Sequence, residues 1–265
     1  LNIGLLHLAI IGVDIREVLR GAAAMQKRCA LQDIFTNPAL MYAALHTILY
    51  RQKGKPLAIM MPFSEGLKST ADWYVQLLAE SLGKKYARRL TIGADGTEVW
   101  GSDTGKTVST GRTPIPARGT NDLHSIQQNS IEGENNKVTT FIRVDAFRAD
   151  ITLTGTNDIL DGKQYSKLLA LAQEATEWSL TRESRPSCTI VMPAVTPFHW
   201  GELLYFFELA TAYEGEFLDV NAFDQPGVEG YKNYMYYKLR KPGISQDLER
   251  DIESHPLKKE PKYII

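Results

Sequence analysis

The sequence predicts an α/β fold, a three-layer αβα sandwich with a mostly parallel sheet between helices. Three short apolar stretches, 56–63, 137–145 and 187–193, are typical of strands, and a helical pattern follows each of them sooner or later. The first and the last are almost continuously apolar, which favours strands that are covered on both faces. Strands that alternate with helices in this way indicate a parallel sheet inside helical layers.

Helical periodicity accounts for most of the remaining chain. Apolar residues recur at intervals of three and four over 4–31 and 37–52, and Asn37 is a plausible cap before Pro38. Further helices are predicted over 66–82, 121–132, 163–181 and 197–214. The segment 91–119 is rich in Gly, Thr and Pro, so we expect a long irregular connection there. After Pro242 the charged, proline-broken tail predicts a surface helix followed by a loose end.

The composition is that of a folded soluble protein. The chain has 265 residues, of which 43% are hydrophobic and 23% charged, with a net charge of −1. This balance gives no reason to expect nucleic acid or a membrane as a partner, so we expect a small ligand. Cys29 and Cys188 lie far apart and form no metal-like spacing. Reduced thiols in a cytoplasmic protein, with no metal site, are the preferred interpretation.

The chain starts at Leu1 and not at Met, so we expect it to be a piece of a longer protein. Its apolar opening, residues 1–15, is interrupted by Asn2, His7 and Asp14. It is therefore too short and too polar to span a bilayer. It also lacks the basic flank and the cleavage site of a signal peptide.

Three groups of polar residues are candidates for chemistry, and the first is on the predicted helix 66–82. Gln76 and Glu80 lie one turn apart and share a face of that helix, beside an apolar stripe. An amide and a carboxylate would therefore point the same way near the end of the helix. Taken alone, this pattern is also that of an ordinary solvated helical face.

The second group is the stretch ARGTNDLHS, residues 117–125, where the irregular connection turns into a predicted helix. Thr120 or Asn121 is the expected cap, and His124 falls in the first helical turn. A helix N-terminus opposes a protonated imidazole, so we expect a neutral His124 that can exchange a proton. A histidine that only bonds a carbonyl is the alternative.

The third group is FDQPGVEGYK, residues 223–232. Asp224 can cap a helix and Pro226 suits its first position. Neither role explains Gln225, and Lys232 follows about two turns later. Both side chains could reach a ligand beside that helix start, and a capped surface helix with a solvated lysine is the alternative.

Together the three groups resemble the phosphoglucose isomerase family. Its C-terminal signature matches GEFLDVNAFDQPGVEGYK, residues 215–232, except at Phe217, where an aliphatic residue is usual. The stretch ADWYVQLLAESLGK, residues 71–84, is similar to the segment that bears the family's catalytic glutamate. GTNDLHS, residues 119–125, is similar to the one that bears its catalytic histidine. The resemblance extends from Gly4 to about Pro242.

The resemblance implies an aldose-ketose isomerase of glycolysis and gluconeogenesis that interconverts glucose 6-phosphate and fructose 6-phosphate. It assigns the general base to Glu80, ring opening to His124 and Lys232, and substrate contacts to Gln76 and Gln225. These residue types suit the chemistry, because ring opening and the shift of a proton between C2 and C1 both need acid-base groups. No cofactor is implied.

The resemblance also implies the organisation of the chain. Residues 1–53 form a helical lead-in, 54–215 the C-terminal sugar isomerase (SIS) domain with a flavodoxin-like fold, and 216–265 the signature segment and a C-terminal helical arm. The family's phosphate-binding N-terminal domain and its enediolate-stabilising arginine have no counterpart in this chain. We therefore expect little or no activity from the chain alone. Family members are homodimers whose histidine serves the neighbouring subunit's site, so His124 would serve a partner.

Three other functions stay open on the residues alone. A non-catalytic sugar-phosphate-binding SIS module would need the sugar contacts but not the base, because fold alone does not fix function. An isomerase that also acts on mannose 6-phosphate usually has a shorter architecture without the FDQPGVE motif. A structural fragment with an extracellular signalling role cannot be tested from the sequence.

Overall fold

The computed structural model of the protein describes residues 2–156, 158–257, 260 and 262. Within this part the helices are α1 (Asn2–Ile10), α2 (Ile15–Arg28), α3 (Pro38–Lys53), α4 (Lys68–Leu82), α5 (Gln127–Ile131), α6 (Tyr165–Arg182), α7 (Pro197–Leu218), α8 (Glu229–Lys238) and α9 (Gln246–Ser254). The strands are β1 (Leu57–Pro62), β2 (Lys84–Ile92), β3 (Glu98–Thr110), β4 (Thr113–Pro116), β5 (Lys137–Ala146) and β6 (Ser187–Ala194). The chain divides into two compact units, Leu1–Ala222 and Phe223–Ile265.

The first unit is built on a four-stranded sheet with the order β4-β1-β5-β6. All three strand pairs are parallel, as predicted, and Leu57 pairs with both Thr113 and Lys137 at the start of the sheet. The central strand β1 is buried along nearly its whole length, which explains its continuous apolar sequence. The predicted parallel α/β class is confirmed.

Helices cover both faces of this sheet and give the three layers. On one face, Met60 and Ile142 pack in a core that includes Tyr74 of α4 and Phe207 of α7. On the other face, Phe63 and the buried residues beside it meet partly buried apolar residues of α5 and α6. Residues alternate between these two cores along β1, because successive side chains of a strand point to opposite faces.

The expected irregular connection over 91–119 is wrong for most of its length. Strands β2 and β3 form an antiparallel two-stranded ribbon that extends from Lys84 to Thr110. The turn between them contains Asp95, whose Oδ1 accepts a hydrogen bond from the Thr97 amide, and Gly96 at φ 81°. Aspartate followed by glycine is a strong hairpin signal. Most residues of the ribbon are exposed, so its strands lack the apolar pattern that predicts a buried strand.

Two predicted helices are broken in the structure. The helical stretch 4–31 is interrupted, because Gly12 adopts φ 84° and Asp14 then caps α2 by accepting hydrogen bonds from the amides of Arg16 and Glu17. The predicted helix 121–132 is a four-residue 3-10 helix followed by the short α5. Helix α3 agrees with its prediction, and the Asn37 side chain accepts a hydrogen bond from the Leu40 amide as its cap.

A buried ion pair fixes α7 beside the start of β4. Arg112 donates two hydrogen bonds of 2.6 Å to the carboxylate of Glu214, and both side chains are almost completely buried. Its third contact is with Nδ1 of His46 on α3, at 3.1 Å. The pair therefore joins three elements that are distant in sequence, with its charges matched and its hydrogen bonds satisfied.

The second unit contains α8, α9 and a short 3-10 helix, Pro226–Val228. Ser245 caps α9 by accepting a hydrogen bond from the Leu248 amide, and Tyr237 of α8 donates a hydrogen bond to Glu253 of α9 at 3.0 Å. The predicted surface helix after Pro242 is thus present as α9. The predicted loose end falls largely on residues outside the described part.

Candidate active site

Helix α4 presents Gln76 and Glu80 to solvent. Its opposite face is held in the core by Tyr74 and Leu78, both 1% exposed, so the orientation of the helix about its axis is fixed. Both candidate side chains are exposed, and within the described residues neither has a hydrogen-bond or ion-pair partner. An amide and a carboxylate one turn apart are therefore available to a ligand.

The end of this helix is fixed by a lysine. The Nζ atom of Lys84, a 6%-exposed residue, donates a hydrogen bond of 2.8 Å to the backbone carbonyl of Glu80. Lysine side chains near a helix C-terminus commonly satisfy such carbonyls. This contact holds the backbone of the candidate base without engaging its carboxylate.

His124 lies in a segment that packs against the end of β1. A Cβ atom at Gly119 would come within 2.4 Å of the Phe63 ring, so only glycine allows this close approach. The turn is held by Asp122, whose Oδ2 accepts a hydrogen bond of 2.7 Å from the Arg118 amide. The backbone position of His124 is thus set by packing and by one short hydrogen bond.

The predicted helix start before His124 is correct in position, but the predicted cap bond and the continuous helix are wrong. Thr120 stands at the cap position but makes no side-chain cap bond, and His124 is the last residue of the 3-10 helix Asn121–His124. The argument that a helix N-terminus keeps its imidazole neutral therefore does not apply. The prediction of one helix failed because residues 121–132 have a continuous helical pattern, although they form two separate elements, a 3-10 helix and α5.

His124 also differs from other histidines of the chain in its contacts. The ring of His46 contacts Arg112, that of His199 lies 2.9 Å from Glu202, and that of His255 contacts Ser254. The His124 ring is exposed and has no such partner among the described residues. An exposed and unengaged imidazole is free to exchange a proton with a ligand.

Glu80 and the segment that precedes His124 lie at opposite ends of α4 within one chain. The first turn of α4, with Lys68, shares a cleft of about 300 Å³ with Arg118 and Asp122 of the His124 segment. Glu80 is twelve residues further along the helix, about 18 Å at 1.5 Å per residue. Within one chain, Glu80 is therefore distant from the cleft that Arg118 and Asp122 line.

The second unit carries Gln225 and Lys232. The expected Asp224 cap is wrong, because Gln225 occupies the cap position of the 3-10 helix and makes no side-chain cap bond. Lys232 lies on α8, where its ammonium forms a 2.8 Å ion pair with Glu229 of the same signature. Hydrogen bonding to Glu229 is the main cause that raises the pKa of Lys232 above its ordinary value. The ion pair with Glu229 therefore stabilises the protonated form of this lysine.

The two cysteines are not bonded to each other in the structure. Cys29 and Cys188 are free thiols, and burial raises the pKa of both. In the part of the chain that the structure describes, no group of three or more His, Cys, Asp or Glu side chains is arranged to hold a metal ion. None of the helices described has the length and apolar character needed to cross a membrane.

Sequence reasoning missed the supporting residues of the site. Gly119 and Lys84 set the backbone positions of His124 and Glu80, and each has a local signal: a glycine before the motif, and a lysine four residues after the glutamate. The Arg112–Glu214 pair joins residues 102 positions apart and has no local signal at all. Only the folded chain shows it.

The general class of the protein is a parallel α/β domain. It presents a glutamate and a histidine that are unengaged within the described residues and are candidates for acid-base chemistry. The particular family follows from the match of residues 2–247 to the family model "Phosphoglucose isomerase". The chain belongs to the phosphoglucose isomerase family. The resemblance noted from three short motifs therefore holds for nearly the whole chain.

Relatives and solved structures agree with this membership. The chain is 38% identical over 269 residues to a glucose-6-phosphate isomerase from Carboxydothermus hydrogenoformans, covering 99% of this chain and 54% of the relative. It is 36% identical to one from Symbiobacterium thermophilum, covering 91% of this chain and 50% of the relative. The chain thus spans about half the length of these relatives.

Two crystal structures show the same fold. A hypothetical protein from Thermus thermophilus superposes with a TM-score of 0.72 at 30% identity, over 88% of this chain and 52% of that one. A glucose-6-phosphate isomerase from Chlamydia trachomatis superposes with a TM-score of 0.71 at 24% identity, over 90% of this chain and 45% of that one. At that lower identity the likeness supports the fold alone.

Proposed function

We propose that the chain is the C-terminal part of an aldose-ketose isomerase that interconverts glucose 6-phosphate and fructose 6-phosphate, in cytoplasmic glycolysis and gluconeogenesis. The observation that carries this proposal is the exposed, unengaged carboxylate of Glu80, at the position that the resemblance assigns to the family's base; Lys84 bonds only the backbone carbonyl of this residue. Residues 54–215 would form the C-terminal SIS domain, 1–53 its helical lead-in, and 216–265 the signature segment and arm.

The central step moves one proton between two carbons. With the sugar open, the Glu80 carboxylate takes the C2 proton, the C1–C2 bond becomes the double bond of a cis-enediol, and the C1 carbonyl oxygen gains a proton. The same carboxyl group then returns a proton to C1, and the C2 hydroxyl loses its proton as the carbonyl forms at C2. One carboxylate can perform both transfers when it faces the plane of the double bond. Gln76, one turn earlier on α4, is positioned to hold a substrate hydroxyl.

Ring opening needs a proton at the ring oxygen and the loss of one from the C1 hydroxyl. We assign these transfers to His124 and Lys232, because an imidazole and an ammonium are suited to give and take protons. Gln225 would contact the substrate. The assignments of Lys232 and Gln225 depend on the signature match, and the ion pair between Glu229 and Lys232 supports a protonated lysine.

We do not expect one chain of this geometry to complete a site that needs both Glu80 and His124. The segment that precedes His124 lies beside Lys68 in the first turn of α4, and Glu80 lies about 18 Å further along that helix. We therefore propose that His124 enters the site of a second subunit in a homodimer. The closed point-group symmetry of such dimers gives two identical shared sites.

The chain alone should be nearly inactive. Its relatives are about twice as long, and the resemblance assigns the family's phosphate-binding domain to the part of their length that this chain does not span. Without charge-assisted hydrogen bonds to the phosphate, the substrate is not positioned against the base. The test is a coupled assay for glucose 6-phosphate formation from fructose 6-phosphate, on this chain alone and on this chain mixed with the missing N-terminal half of the parent protein. Activity only in the mixture is expected, and activity typical of the family from the chain alone would refute the account.

Glu80→Gln separates the isomerase from a non-catalytic binding module. The variant keeps the size and polarity of the side chain but removes its proton-accepting charge. In the reconstituted mixture we expect isomerisation to fall by about 10²- to 10⁴-fold while sugar-phosphate binding persists. The matched control is Glu174→Gln, which makes the same change at an exposed position of α6. Equal isomerase activity of the two variants would exclude Glu80 as the base, whereas sugar-phosphate binding with no isomerase activity in any mixture would favour the binding module.

A further inference from the structure

A cleft of about 300 Å³ opens at the C-terminal edge of the parallel sheet, between β1 and β5. Within this sheet, the next strand after β1 along the chain is β4, which lies on one side of β1. The chain then crosses to β5 on the other side. This change of direction is a topological switch point. In open α/β sheets, ligands bind in the crevice outside the carboxyl ends of the strands at such a point.

The floor of the cleft holds an unengaged hydroxyl group. Ser64 follows β1 directly and is 8% exposed, and its side chain lines the cleft. It stands at the cap position of the 3-10 helix Glu65–Leu67, yet it makes no cap bond. Within the described residues the Ser64 hydroxyl has no hydrogen-bond partner. A buried hydroxyl without a protein partner normally meets water or a ligand.

The ionisable acids that line the cleft are carboxylates, and the positive charge of Lys167 acts on one of them, Asp150. The other is Glu65, and the residues that line the cleft include no lysine, arginine or histidine. Asp150 is fixed by hydrogen bonds from the Ser166 hydroxyl and from the amides of Ile151 and Ser166, at 2.9 and 3.0 Å. The Glu65 carboxylate has no ion-pair partner in the described part of the chain. A cation is therefore favoured over an anion such as phosphate.

The other walls are aromatic and apolar. Phe147 and Leu169 line the cleft, and the Tyr165 ring, 57% exposed, stands at its margin. A small, strongly hydrated metal ion would gain little from such walls. An ammonium group attached to an apolar body gains from both the carboxylates and the aromatic faces.

From these features we propose that the switch-point cleft is a binding site for an organic ammonium group. The ammonium donates to the Glu65 carboxylate and to the Ser64 hydroxyl oxygen, and its apolar body lies against Phe147 and Tyr165. The proposal concerns groups distinct from Gln76, Glu80 and His124. It stands or falls independently of isomerase activity.

The test uses benzylammonium as the probe, with the full 265-residue chain. Backbone amide NMR shifts are followed during titration at pH 7.5 and constant ionic strength. Benzyl alcohol is the neutral control and benzoate the anionic one, because all three share the ring. We expect saturable shifts at Ser64, Glu65 and Ser166 with a Kd on the order of 1 mM for benzylammonium. Equal affinity for benzyl alcohol, or shifts scattered away from these residues, would overturn the proposal.

Two variants locate the site. Glu65→Gln should weaken benzylammonium binding about fivefold or more, because it removes the free carboxylate, while Glu174→Gln on exposed α6 should leave it unchanged. Gly66→Ala adds a methyl group 3.6 Å from the Ser64 hydroxyl, an ordinary contact, so the protein should fold normally with less room for the probe. An unchanged Kd in both cleft variants contradicts the assignment.

Discussion

The buried His46 makes the stability of the protein depend on pH near neutrality. Its ring is 3% exposed, and its Nδ1 lies 3.1 Å from the Arg112 guanidinium, which can only donate. Burial first, and the charge of Arg112 second, lower the pKa of His46 well below its ordinary value of 6.5. Below pH 6.5 the ring therefore stays neutral in the folded protein, whereas it is protonated in the unfolded chain.

The sign and size of the effect follow from proton linkage. Below pH 6.5 the unfolded state binds one more proton at this position than the folded state, so the free energy of unfolding falls as the pH falls. For an imidazole that stays neutral in the fold, lowering the pH from 7.5 to 5.5 removes about 1.4 kcal/mol. This contribution of His46 to the free energy of unfolding is present above pH 6.5 and is lost as the pH falls below that value.

Urea unfolding followed by circular dichroism at pH 7.5 and pH 5.5 measures this loss. The comparison variant is His46→Gln, whose amide oxygen can still accept from Arg112 but does not titrate. We expect the wild-type protein to lose about 1.4 kcal/mol more than the variant over this range. An NMR titration should show that the His46 ring signals do not shift above pH 5.5. Identical pH dependence of the two proteins, or a His46 ring that titrates near 6.5, would refute the reasoning.

Two further predictions concern packing around the candidate site. Gly119→Ala brings a methyl group within 2.4 Å of the Phe63 ring, so we expect a loss of about 1–3 kcal/mol in urea unfolding, against little change for Gly101→Ala, which meets no atom within 4 Å. Arg112→Met leaves the buried Glu214 carboxylate unpaired and should cost about 3–5 kcal/mol, whereas the double variant with Glu214→Leu should recover much of that loss. A Gly119 variant as stable as wild type, or a double variant no better than the single one, would contradict these contacts.

The sheet was predictable because β1 and β5 are buried along most of their length, and because β6, an edge strand that is only partly buried, still has an apolar sequence. Continuous apolar sequence marks β1 and β6 directly, and the helices between strands carry clear periodicity. The β2–β3 ribbon was not found, because its strands are exposed and their composition is that of a loop. The Asp95-Gly96 turn was the available signal. An exposed ribbon lacks the apolar pattern of a buried strand, so the residues of its turn are the signal from which it can be predicted.

The candidate site was predictable only in part. Gln76 and Glu80 lie on an exposed face of α4 near its end, as their spacing indicated. His124 was assigned to the first turn of a helix over 121–132, whereas the structure has a 3-10 helix that ends at His124 and a separate short α5. Its separation from Glu80 depends on how α4 and β4 are placed in the fold. Such three-dimensional arrangements carry no local signal in the sequence.

The most direct test of the proposed site is complementation between two inactive variants. Chains carrying Glu80→Gln and chains carrying His124→Asn are each reconstituted with the missing half, then mixed in equal amounts and allowed to exchange subunits. In a dimer with shared sites, half of the dimers are mixed, and each mixed dimer has one site with an intact Glu80 and an intact His124. The account predicts recovery of about a quarter of the wild-type activity in the coupled assay. No recovery, with subunit exchange demonstrated, would contradict a site that takes its glutamate and its histidine from different subunits.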